Sequence, residues 1–192
     1  MILSPKHLIG LTGTIASGKS TVLKTLADCG AQTFCADEIV RELYQTARVQ
    51  RQLTQWFGSA QPKEVAKIVF SSAAARRKLE KFLHPLVWNY IQRQLKSCAE
   101  TWAVVEAPLL WEAGWQRRMD LTVLVVGTPR NLPMRLRQRK LSQAQYKQRL
   151  AAQWPVEKKI GLADLVIYNE GSKQLLTTKA KGLYQALENF YV

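Results

Sequence analysis

The segment Gly13-Thr14-Ile15-Ala16-Ser17-Gly18-Lys19-Ser20 constrains this chain more than any other, because it has the spacing of a phosphate-binding P-loop. Gly13 and Gly18 bracket a turn whose main-chain N–H groups converge on a polyphosphate. Lys19 adds a point charge that can reach the outer phosphates, and the Ser20 hydroxyl can ligate Mg²⁺. Such a loop works only between a strand and a helix, and both flanks comply. Leu8-Ile9-Gly10-Leu11-Thr12 ahead of it is an apolar run suited to a buried parallel strand. Behind it, Val22, Leu23, Leu26 and Ala27 fall at helical spacing, and Gly30 reads as the stop. Bound phosphates would therefore face the positive end of a helix.

Four further apolar runs read as strands: Ala31 to Ala36, Trp102 to Val105, Leu121 to Val126 and Leu165 to Tyr168. Helical patterns separate them, which indicates an α/β fold with a five-stranded parallel sheet flanked by helices. Ligands of such sheets bind beyond the carboxyl ends of the strands. Polar residues stand there: Asp37 after the second run, Glu106 after the third, Asn169 after the last. Residues about 38–100 form a helical stretch too long for a simple crossover, and read as an inserted subdomain. Within it Ser71 or Ser72 caps a helix through Leu79 and Phe82, His84-Pro85 is expected to break it, and a second helix follows. Residues about 128–155 read as a basic helical hairpin, with Ser142 capping its second helix and Trp154-Pro155 ending it. A last helix, roughly Lys173 to Phe190, closes the sheet.

The chain of 192 residues carries a net charge of +14, which points to anionic partners such as nucleotides and leaves nucleic acid as an alternative. From Thr128 to Ile160, nine Lys or Arg face one acid, Glu157, and a second basic block is Arg76-Arg77-Lys78 with Lys81. No apolar run reaches the roughly 20 residues that span a membrane. Cys29, Cys35 and Cys98 have neither metal-ligand spacing nor the even number of a disulfide framework, so a cytoplasmic protein with free thiols is expected.

Phosphoryl transfer needs positioning and charge neutralisation more than covalent chemistry. Asp37 has two readings: the base that takes the proton of an acceptor hydroxyl, or the N-cap of a helix beginning at Glu38. Glu106 likewise reads as an acid orienting Mg²⁺ through water or as a structural strand end. The hairpin carries Arg135, Arg137, Arg139 and Arg149. Arg135 and Arg139 share one helical face, as in a lid that closes over triphosphate.

In this order the motifs resemble those of the dephospho-coenzyme A kinases along nearly the whole chain. Ile9 to Thr21 is similar to that family's P-loop, with Ala16, Ser17 and Thr21 inside it, and Ala36-Asp37-Glu38-Ile39 to its acidic segment. Val69-Phe70-Ser71, Arg76 to Glu80 and Leu83-His84-Pro85-Leu86 resemble its substrate-domain signature. Pro108-Leu109-Leu110-Trp111-Glu112, Gln148-Arg149-Leu150 with Gln153, and Ala163-Asp164 to Asn169-Glu170-Gly171 resemble its later motifs. The resemblance implies a P-loop kinase fold with a substrate-binding helical insertion and a lid. It implies ATP and Mg²⁺ as cofactors and phosphorylation of the ribose 3′-hydroxyl of dephospho-coenzyme A. Asp37 would be the base, Lys19 would lie on the phosphates, Ser20 on Mg²⁺ and Arg139 in the lid, and Asn169 and Gly171 would lie near the adenine. His84, Pro108 and Leu109 would belong to the acceptor site.

Two departures bear on geometry. Thr14 stands where the family has a second glycine, and a β-branched residue resists positive φ. Pro133 falls inside the expected lid helix. The alternatives kept open are a P-loop kinase acting on a nucleoside or nucleotide, and a nucleotide-gated nucleic-acid-binding protein.

Overall fold

The structure is a computed structural model that describes residues 7–128, 132–138 and 142–191. The chain forms two compact units, one built from residues up to Phe34 and from Cys98 onward, the other from Cys35–Ser97.

The first unit holds a five-stranded sheet in the order β2-β3-β1-β4-β5. Its strands are β1 (His7–Gly13), β2 (Gln32–Cys35), β3 (Trp102–Glu106), β4 (Leu121–Gly127) and β5 (Leu165–Asn169). Pairing is parallel between β1 and β3, β1 and β4, and β4 and β5. The register sets Leu11 beside Glu106 on one side and Val123 on the other, and aligns Gly127 with Asn169. The polar strand ends thus lie along one edge, as parallel pairing requires. Gly10 is needed in mid-strand: a methyl there would lie 2.8 Å from Leu110 Cδ2 and 2.9 Å from Met119 Cγ.

Helices α1 (Lys19–Asp28) and α9 (Lys173–Tyr191) cover the sheet. Val22 and Leu26 of α1 and Leu176, Ala180 and Leu187 of α9 join Ile9, Leu11, Val104, Val123 and Val125 in one core. Helix α1 stops at Gly30 as expected. The Gly30 amide donates to the Ala27 carbonyl and the Ala31 amide to the Leu26 carbonyl, both at 3.0 Å, with Gly30 at φ 110°. This closing pattern needs a residue without a Cβ.

After β4 come α6 (Leu132–Gln138), α7 (Gln143–Ala151) and α8 (Val156–Ile160). Pro133 does not disturb α6, because it is the second residue of the helix, where an N–H would have no intrahelical acceptor. The short α8 after Trp154-Pro155 was not foreseen. Pro129 and the Arg139-Lys140-Leu141 turn lie outside the described residues.

The second unit contains α2 (Ala36–Leu43), α3 (Ala47–Phe57), α4 (Pro62–Ser71) and α5 (Ala73–Leu95). The Thr46 and Ser72 hydroxyls cap α3 and α5 by accepting from the Val49 and Ala75 amides, and Pro62 opens α4. Val49, Leu53, Val65 and Leu83 form the core. The expected break at His84-Pro85 does not occur, since α5 runs on for 23 residues with Pro85 inside it. Leu83, Val87 and Ile91 make a buried stripe at i, i+4 spacing that straddles the proline, and Pro85 itself is exposed. Burial on one face holds the two halves in line at the loss of one backbone hydrogen bond.

Candidate functional site

Strand β1 leads directly into the P-loop, whose carbonyls are engaged by donors from four different segments. Lys19 Nζ, in the first turn of α1, folds back to the Gly13 oxygen at 2.9 Å and the Thr14 oxygen at 3.1 Å. Asn169 Nδ2, at the end of β5, donates to the Ser17 oxygen at 2.7 Å, and Arg135 Nη1 of α6 to the Ala16 oxygen at 3.4 Å. Gln153 Nε2, just after α7, lies 3.4 Å from the Gly13 oxygen and 2.9 Å from the Pro108 oxygen. A trans peptide points its C=O and N–H in opposite directions, so carbonyls drawn into the protein turn the amides away from it. Ser17 N–H closes a turn on the Thr14 oxygen at 3.2 Å; among the described residues the amides of Ile15, Ala16 and Gly18 find no backbone acceptor. Those of Lys19 and Ser20 lie in the first turn of α1, which offers no intrahelical acceptor. Converging amides at a helix N-terminus bind anions.

Positive φ occurs at Gly13 (155°), Ala16 (60°) and Gly18 (108°), and not at Thr14. The expected strain at Thr14 is therefore absent, because the left-handed residue of the loop is Ala16. The two glycines are also needed for space. A methyl on Gly13 would lie 2.3 Å from the Val125 oxygen, and one on Gly18 would lie 2.5 Å from Asn169 Nδ2. The Ser17 hydroxyl is buried and has no partner among the described residues.

Lys19 and Glu106 are both buried, with Nζ 3.9 Å from Oε1. The Glu106 carboxylate compensates the lysine charge in a desolvated setting, where an unpaired ammonium would favour its neutral form. Burial pulls the Arg135 guanidinium below its usual value, yet a guanidinium starts high enough to stay charged at neutral pH. Between the loop and the α6–α7 segment lies a chamber of about 560 Å³, lined by Thr14, Ile15, Arg135, Tyr146, Leu150 and Trp154. That volume suits a small ligand.

The remaining sequence-derived residues fall in several places. Ser20 is exposed in the first turn of α1, and Thr21 is half-buried beside it, its amide on the Gly18 oxygen. Gly171 is half-buried between β5 and α9, where a methyl would meet Leu175 Cδ2 at 2.7 Å. Pro108 and Leu109 follow β3 and are half-buried. Asp37 and His84 belong to the second unit. Asp37 is exposed in the first turn of α2, whose N-cap is Cys35. The helix starts one residue before Asp37, so the N-cap reading fails, although a carboxylate there still suits the positive end of the helix. His84 is half-buried; burial pushes its imidazole below the ordinary range, with Glu80 opposing. Arg139 lies outside the described residues.

Sequence reasoning assigned no role to Glu112, Gln153 or Lys159. Lys159, one of the nine Lys or Arg counted between Thr128 and Ile160, is fully buried, its Nζ 2.8 Å from Glu112 Oε1. The same oxygen accepts the Trp154 amide at 2.6 Å. A lysine in a short helix and an acid after an apolar Pro-Leu-Leu run carry no periodic signal that pairs them.

The dephospho-CoA kinase family model matches residues 7–174. A dephospho-CoA kinase of Chlorobaculum tepidum is 33% identical over 196 residues, covering 94% of this chain and 94% of its own. Among solved structures, the Thermus thermophilus protein TT1252 superposes with a TM-score of 0.85 at 29% identity, covering 98% of this chain and 100% of its own. The dephospho-CoA kinase of Campylobacter jejuni has a TM-score of 0.61 at 23% identity, covering 94% and 97%, and shares the fold.

Proposed function

The chain belongs to the dephospho-CoA kinase family, and from that membership we propose how its own residues carry out transfer of a phosphate to dephospho-CoA. ATP is the donor and the ribose 3′-hydroxyl the acceptor. The observation that carries this reading is the P-loop held by its carbonyls, which leaves its amides and the Lys19 ammonium to receive phosphate oxygens. Lys19 exchanges the Gly13 and Thr14 carbonyls for the outer phosphates, while the Glu106 carboxylate lies 3.9 Å from its ammonium. Asp37 accepts the proton of the acceptor hydroxyl, whose oxygen attacks the γ-phosphorus as the bond to ADP breaks. Arg139 and the α6–α7 lid neutralise the transferring group. Asn169 and Gly171 stand by the adenine, and His84, Pro108 and Leu109 are assigned to the acceptor.

Ser20 and Glu106 suit Mg²⁺. This ion keeps most of its water and phosphate ligands and asks little of the protein, and the described residues include no group of three or more carboxylate, His or Cys side chains to cage a metal. Mg²⁺ supplies charge neutralisation at the phosphates when bound. Among the described residues no helix is long and apolar enough to cross a membrane.

Turnover with ATP and Mg²⁺ should be measured in parallel on dephospho-CoA, nucleosides and nucleoside monophosphates. Dephospho-CoA is expected to be the substrate turned over. Phosphorylation of the nucleosides or nucleotides alone sinks this reading, and tight, salt-sensitive RNA binding without turnover favours the nucleic-acid alternative.

A further inference from the structure

Gln153 sits where three parts of the first unit meet. Its Nε2 is the nitrogen that spans the Pro108 carbonyl at 2.9 Å and the Gly13 carbonyl at 3.4 Å. Both partners are acceptors, so the amide must present its NH₂ end to them; the flipped orientation would set three oxygens face to face. The chain just after it is held as well. Trp154, its neighbour, donates its N–H to Glu112, and Glu112 is clamped by the buried Lys159 ammonium, which also lies 3.4 Å from the Pro108 oxygen. A buried ion pair with no place in the phosphate chemistry thus fixes the turn that carries Gln153. Its other end, Oε1, is buried without a partner among the described residues. An unmet acceptor costs stability, so the placement of this side chain serves more than packing.

The Gly13 oxygen is shared. Lys19 holds it at 2.9 Å and Gln153 waits at the longer 3.4 Å. The geometry points to Gln153 as a positioning residue for the P-loop lysine: its carboxamide takes over the Gly13 carbonyl when Lys19 leaves for phosphate, tying loop release to the base of the lid. This rests on the assignment of Lys19 to the phosphates. Without Gln153, departure of the lysine strands a buried carbonyl, and the lysine is held back by that penalty. Gln153 touches no reacting atom in this scheme; it lowers the energy of the state in which Lys19 is free to bind.

The test is a double-mutant cycle on nucleotide affinity in the full chain, with a non-hydrolysable ATP analogue and Mg²⁺ titrated into wild type, Gln153→Met, Lys19→Met and the double variant. Gln153→Met keeps the length of the side chain and removes its donors. It is expected to weaken binding about tenfold when Lys19 is present and to add almost nothing in the Lys19→Met background. Equal losses in both backgrounds mark an ordinary packing role and overturn the proposal, as does unchanged affinity in Gln153→Met. If Lys19→Met leaves affinity intact, the phosphate assignment itself has failed, which is a separate result. Thermal unfolding of each variant accompanies the titrations. Should Gln153→Met not fold, Gln153→Asn takes its place in the cycle, since its amide falls one methylene short of bridging both carbonyls and makes the same forecast.

Discussion

Each residue of the loop carries a requirement that its neighbours do not. Ala16 occupies a left-handed conformation that costs a residue with a Cβ about 1 kcal/mol, whereas Thr14, which looked anomalous in the sequence, sits without strain. Asn169 is tied to the Ser17 oxygen at 2.7 Å and is itself buried. Asn169→Ala should leave that carbonyl unmet and destabilise the protein by about 2 kcal/mol. Thermal unfolding is expected to show it as a fall of roughly 4–8 °C. A role for Asn169 toward the nucleotide alone predicts no such fall in the free protein. The base assignment is tested differently. Asp37→Asn should lower kcat by about 10²–10⁴ while ATP affinity, measured by calorimetric titration, stays near wild type. A retained kcat removes Asp37 from the chemistry. Asp37 is exposed, so a change in stability is not expected to obscure the result.

Among the elements, the strands were legible because a strand buried on both faces is a continuous apolar run, and the first polar residue marks its end. Glu106 is the last residue of β3 for that reason, whereas β5 is an edge strand with Leu165 and Tyr168 exposed and was legible only as an apolar run ending at Asn169. Helix α5 was misread at Pro85 because local chemistry argued for a break, while the apolar stripe on the other face of the helix decided against it. The retained proline leaves the Lys81 carbonyl without its helical donor. Pro85→Ala is therefore expected to raise the unfolding free energy by about 1–3 kcal/mol in a denaturant titration. If Pro85 serves the acceptor, the same variant raises KM for dephospho-CoA and leaves KM for ATP alone. His84, beside it, adds a pH dependence. Its burial favours the neutral ring, so the unfolded chain takes up the proton first. The stability this residue allows is complete above the ordinary imidazole value of about 6.5 and declines as pH falls through that value toward the lower one of the folded state. Unfolding titrations between about pH 5 and 8 should show that slope in wild type and a flatter one in His84→Gln.

At the scale of the whole molecule, the positive charge of the segment after β4 was legible, but its division was not. Lys159 is buried against Glu112 rather than displayed, and Gln153 reaches two carbonyls distant in sequence, which no spacing rule signals. Burial of such a pair is settled by the assembled first unit and not by its local sequence. The donors that brace the loop lie far along the chain: Arg135 is 119 residues beyond its partner, Gln153 is 140 beyond Gly13, and Asn169 is 152 beyond Ser17. Contacts of such separation wait for the chain between them to be made and ordered. Lys19 reaches the Gly13 and Thr14 oxygens from within the loop's own segment, whereas the Ala16 and Ser17 oxygens are met only by these later donors. Nascent chains stalled at increasing lengths on a linker should bind nucleotide only once Asn169 has emerged. Capture of nucleotide by a chain exposed only as far as Gln138 would show that the loop forms without those braces. On that expectation nucleotide binding reports that β5 has joined β4, because the residue ending that strand is the one that holds the Ser17 oxygen.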